Sequence, residues 1–80
     1  MAMAEAGIIT GDTLIVDRRA KTTQGDIILG GYNGELMVRK LQLDPSPRLV
    51  PCHPDFETLI IPEHDTLSVI GKVSHIIRSL

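Results

Sequence analysis

Apolar and polar residues alternate along most of this chain with a period of two, in short runs separated by turn-forming residues. Successive side chains of a strand point to opposite faces, so this pattern predicts half-buried β-strands. Thr13 to Asp17 is the first run, introduced by Gly11-Asp12, and Asp26 to Leu29 is the second, introduced by Gln24-Gly25. Asn33-Gly34 then signals a two-residue hairpin, because both central positions of a type I′ turn need positive φ. It leads into Glu35 to Leu43, which stops at Asp44-Pro45-Ser46-Pro47 because proline cannot donate to a ladder. Arg48 to Pro51 and Thr58 to Ile61 read as short strands flanking the loop Cys52-His53-Pro54-Asp55. Thr66 to Ile77 is the longest run, with Leu67, Val69, Gly71 and Val73 on one face and a bend or bulge expected at Gly71. An apolar last strand either offers an unpaired edge to a second copy or lies inside the sheet, and the pattern leaves both open. Only Ala2 to Ala6 favours helix. Several short strands at regular spacing predict a mainly β fold, a small irregular barrel or sandwich, with residues 1–80 forming a single domain.

The run Glu35 to Leu43 carries an anomaly that packing alone does not explain. Arg39 falls in phase with Met37 and Leu41, and Lys40 with Leu36 and Val38, so whichever face is buried holds one cation. Burying a charge is costly unless it is paired or functional. A desolvated lysine releases its proton more easily and can act as a general base, whereas a guanidinium stays charged. Which of the two faces inward therefore decides whether this strand can do chemistry.

Composition narrows the classes. With no tryptophan, and with Tyr32 and Phe56 as the aromatic residues, the core must be aliphatic. A core this small would gain from burial against a second copy. The net charge of −2, with both signs interspersed, gives no footprint for direct nucleic-acid binding. No apolar run is long enough to span a membrane, and Met1-Ala2-Met3-Ala4-Glu5 lacks the basic start of a signal peptide, so a cytoplasmic location is expected. A lone cysteine, Cys52, excludes an internal disulfide. His53, His64 and His75 lie on separate segments without the spacing of zinc ligands, so no metal or other cofactor is expected. Asp12, Asp17 and Asp26 read as turn and strand-end residues, and His75 shares a phase with Val73 and Ile77, which suits a core or interface position.

Three segments taken in order carry a resemblance. They are Ala2-Met3-Ala4-Glu5-Ala6-Gly7-Ile8 followed by Gly11-Asp12; Val16-Asp17 with Gly25-Asp26-Ile27; and Gly34 to Pro45, containing Val38-Arg39-Lys40-Leu41. Together with Leu49-Val50-Pro51, Pro54 and Val69-Ile70-Gly71-Lys72-Val73, they resemble the LexA-type self-cleaving peptidases, and among these the UmuD proteins most closely. The resemblance implies a small, partly open β-barrel of the LexA/UmuD C-terminal peptidase-like type. It also implies a Ser–Lys dyad, in which a serine attacks and a lysine of lowered pKa removes its proton. The serine position falls on Ala2, which has no hydroxyl, and the lysine position falls on Arg39, which cannot be a base. Lys40 is the fallback base, but it points to the opposite face unless a local bulge turns it. In the family a segment ahead of the nucleophile carries the scissile bond, typically Ala-Gly or Cys-Gly. No such segment precedes Met1, so the chain resembles the processed, core-only form.

The function implied is an accessory subunit of the SOS response that supports error-prone translesion DNA synthesis. Its implied partners are a second copy, a UmuC-like Y-family polymerase and a recombinase filament, without direct contact with DNA. Two other readings remain: a self-cleaving serine peptidase inactivated in this sequence, and the C-terminal dimerisation domain of a LexA-like repressor.

Overall fold

A computed structural model of the chain describes residues 2–80. Six strands form one sheet: β1 (Thr13–Asp17), β2 (Ile27–Tyr32), β3 (Glu35–Gln42), β4 (Arg48–Val50), β5 (Leu59–Ile60) and β6 (Ser68–Ile77). Their order is β1-β6-β2-β3-β4-β5 and every neighbouring pair is antiparallel. The outer strands β1 and β5 do not pair with each other, so the sheet is open. The fold is mainly β, as the alternation predicts, and the Ala2 to Ala6 segment contributes only a 3-10 turn at Ala4–Ala6.

The β2–β3 hairpin is the most regular part. Asn33 at φ 51° and Gly34 at φ 77° close a two-residue turn whose twist matches the flanking strands. Pairing then runs without a shift from Tyr32↔Glu35 to Ile27↔Lys40. The core lies on one side of this hairpin, where Ile28, Tyr32, Leu41, Leu49 and Ile61 are buried and Met37, Leu59 and Leu67 pack against them. Those side chains are aliphatic apart from Tyr32, as the composition requires.

Of the two placements left open for the last strand, the structure has the internal one, since β6 lies between β1 and β2. Its clean alternation does not hold, being interrupted twice: the register shifts opposite Leu29/Gly30, leaving Ile70 as an extra residue, and again opposite Ile15/Val16, leaving Ser74 as an extra residue. Each added residue moves the side chains beyond it out of phase. Leu67 and Val69 thus border one cavity with Leu41 and Ile61, whereas Val73 borders another with Ile27 and Ile76. His75 is exposed, with its Nδ1 3.0 Å from Ser74 Oγ, and does not enter the core. Gly71 answers a steric demand: a Cβ there would lie 2.6 Å from Val16 Cγ1 and 2.7 Å from the Asp17 carbonyl oxygen.

Candidate functional site

The regular register of β2 and β3 settles which cation faces inward. Arg39 lies directly opposite buried Ile28, and on its own strand it is flanked in phase by Met37 and buried Leu41. It is half-buried. One guanidinium nitrogen, Nη1, donates to the Val38 carbonyl at 2.7 Å, and the guanidinium carbon lies 5.9 Å from the centroid of the Phe56 ring. Lys40 lies opposite Ile27 and Val50, is exposed, and borders a different cavity with Gln24 and Gly25. No bulge interrupts β3 where it pairs with β2, so nothing turns Lys40 toward Arg39's side.

Ala2 approaches Arg39 from the other end of the chain. It is buried, at 6% exposure, beside Met3. The segment is fastened by main-chain bonds: Cys52 N–H donates to the Ala2 carbonyl, and Glu5 N–H donates to the Cys52 carbonyl at 2.8 Å. Ala6 and Ile8 N–H both donate to the Met3 carbonyl, and Gly7, at φ 89°, ends the 3-10 turn. The loop Cys52-His53-Pro54-Asp55 therefore serves as a seat for the N-terminal segment. Cys52 contributes its backbone here, while His53 Nδ1 accepts from the Asp55 N–H at 3.0 Å and its ring meets Phe56 edge-on.

Ala2 and Arg39 border the same cleft, of about 450 Å³. Its walls are Met3, Ile8, Ile9 and Leu14 on one side and Leu36 to Val38 of β3 on the other, with Asp12 and Glu35 also on its lining. The 7–12 loop that forms one wall is held by Asp12. Arg78 Nε and Nη2 each donate to its carboxylate at 2.7 Å, Ile9 N–H donates at 2.9 Å, and Arg78 Nη2 also reaches the Gly7 carbonyl at 2.6 Å. The Arg78 hydrogen bond, and after it that of Ile9, lowers the Asp12 pKa from 3.8 to about 2. Reading Asp12 as a turn residue missed this role, because its partner is 66 positions away in sequence.

Other polar groups lie outside the cleft. Asp26 accepts from Thr23 N–H and faces Lys72 at 3.4 Å; the Thr23 bond lowers its pKa first, and the lysine charge adds to it. The Tyr32 hydroxyl donates to Asp65, and that bond raises the tyrosine pKa. Among the described residues, no three His, Cys, Asp or Glu side chains gather as a metal-binding group would require.

The Ala2–Arg39 cleft and all of the sheet up to Ser74 in β6 lie in the region over which this chain matches a known family. The model of the peptidase S24-like family, a serine-peptidase family, matches residues 1–74. This chain belongs to the peptidase S24-like family. Its sequence is 37% identical over 78 residues to protein SamA of Salmonella typhimurium, covering 98% of this chain and 56% of SamA. It is 41% identical over 79 residues to protein ImpA of Escherichia coli, covering 96% of this chain and 52% of ImpA. Against the LexA repressor of Methylococcus capsulatus it is 33% identical over 81 residues, covering 99% of this chain and 40% of the repressor. The chain thus spans about half the length of SamA and ImpA. As a peptidase S24-like chain it is of the LexA/UmuD type, with an alanine and an arginine facing one cleft.

Proposed function

We propose that this chain is a UmuD-like accessory subunit supporting error-prone translesion DNA synthesis in the SOS response. In this reading it acts in the cytoplasm as a homodimer on a UmuC-like Y-family polymerase, in association with a recombinase filament and without touching DNA itself. The observation that carries the proposal is the match of nearly all of this chain to about half of SamA and of ImpA, and a cleft bordered by Ala2 and Arg39, to which the resemblance assigns the nucleophile and base positions, supports it. Ala2 has no oxygen with which to attack, and the Arg39 guanidinium keeps its proton at any physiological pH. The cleft is then a retained peptide-binding surface on a subunit that works by association. Exposed apolar side chains on β1 and β6, Ile15, Ile76 and Ile77, favour a second copy as one such associate.

The test is affinity capture of a cognate Y-family polymerase by the tagged chain, with the mass of the complex read by light scattering. Capture of the polymerase with two copies of the chain is the expected result. Failure of the folded chain to retain polymerase, alone or mixed with a full-length relative, would sink the proposal.

A second reading is favoured by one observation, the shared cleft of Ala2 and Arg39. It takes the chain as a self-cleaving serine peptidase whose nucleophile and base have been replaced. A serine at position 2 and a lysine at position 39, desolvated against Met37 and Leu41, would supply a hydroxyl and a base of lowered pKa.

A further inference from the structure

The β3 edge beside Ala2 is open, and next to it stands a cation without a carboxylate. β4 covers only Lys40, Leu41 and Gln42, so no strand among the described residues pairs with the outer side of Glu35 to Arg39. The two-residue turn makes Tyr32 and Glu35 a hydrogen-bonded pair, and the alternation of an antiparallel ladder then aims the peptide groups of Leu36 and Val38 outward. The Val38 carbonyl agrees with this, since it accepts from the Arg39 side chain and not from β2. An extended chain laid here meets the outward N–H groups of Leu36 and Val38 and the Leu36 carbonyl at strand spacing, while Arg39 already holds the Val38 carbonyl.

Arg39 supplies the charge. Its guanidinium has five N–H donors, and the one side-chain bond it makes is to Val38. None of the ion pairs among the described residues involves it. Two carboxylates border the cleft, and neither answers this cation. Asp12 is occupied by Arg78 and by Ile9 N–H. Glu35 is exposed at the far end of the strand, about 13 Å along the backbone from Arg39. The methyl group of Ala2 brings no acceptor of its own, and the surrounding walls are apolar. A fork of unfilled donors in an apolar cleft matches a carboxylate, which guanidinium binds in a planar, two-bond geometry.

We infer that the Ala2–Arg39 cleft captures an extended peptide by its C-terminal carboxylate. Arg39 is the anion-binding residue and the Leu36–Val38 edge is the strand template. The inference rests on reading the cleft as a retained peptide-binding surface, and it involves no bond made or broken in the peptide.

The probe is acetyl-Val-Thr-Val-Leu-Ala with a free carboxylate, compared with the same peptide as its C-terminal amide. Binding to the full chain is followed by backbone amide chemical shifts. The acid form binds about ten-fold or more tighter than the amide, as a charge-assisted bond implies. Both forms shift the Leu36 and Val38 amides. Arg39→Met brings the acid-to-amide ratio to about one, and Arg39→Lys leaves it reduced but above one. Equal affinities of acid and amide, with those amides still shifting, overturn carboxylate capture and leave the peptide-binding cleft standing. No shift at Leu36 or Val38 with either peptide overturns both. If Arg39→Met fails to fold, the ratio measured on the unaltered chain decides.

Discussion

Arg39 puts a permanent charge on the side of the sheet where its neighbours are Ile28, Met37 and Leu41. That position was readable from the sequence because strand periodicity leaves two options, and an unshifted hairpin register selects one of them. Its companion Lys40 is sent to the exposed face by the same rule. Asp12 shows where such reading stops. Its carboxylate is 2% exposed and joins two segments far apart in sequence, a pairing no local pattern encodes. Because Arg78 and Ile9 hold its folded pKa near 2 against an ordinary 3.8, its contribution to stability is complete above about pH 4. That contribution is lost as pH falls through about 2, when the folded carboxylate finally takes up its proton. An Asp12→Asn variant is therefore expected to be less stable than the unaltered chain at neutral pH, and the gap should close on acidification through that window. Denaturant melts across the pH range check this, and a gap that stays constant to below pH 2 would contradict it.

Element by element, the strands follow the alternation closely, and the departures have steric causes. β1 has the bounds its pattern predicts, and β3 ends one residue early, at Gln42, ahead of the proline-rich segment. β2 runs on to Tyr32 through Gly30 and Gly31, which lack the side chains that mark a strand but still pair with Met37 and Leu36. β6 was the least legible, since its extra residues at Ile70 and Ser74 are set by its two neighbours and not by its own composition. At Gly71 a side chain on β6 would collide with Val16 and the Asp17 backbone of β1. Gly71→Ala is expected to destabilise the fold by about 1–3 kcal/mol, because Val16 and the Asp17 backbone must give way. An unchanged midpoint in urea would show that β1 can yield at no cost.

At the scale of the whole molecule, the cleft is made by setting the N-terminal segment and the 7–12 loop against β3. The segment after Ala2 is seated on the loop between β4 and β5, and Arg78 ties the segment beyond β6 to the loop ahead of β1. Neither fastening was visible in the sequence, yet the family resemblance already assigned Ala2 and Arg39 to partnered roles. In the structure both border one cleft. Binding by such a cleft requires only its shape, its open strand edge and its cation. Cleavage requires an oxygen and a neutral amine as well. The most direct measurement is therefore peptide cleavage in trans at alkaline pH, on a substrate containing Ala-Gly, by the double variant Ala2→Ser with Arg39→Lys. The account predicts cutting by the folded double variant and none by the unaltered chain or by either single variant. Cutting by the unaltered chain, or none by a folded double variant, would contradict it.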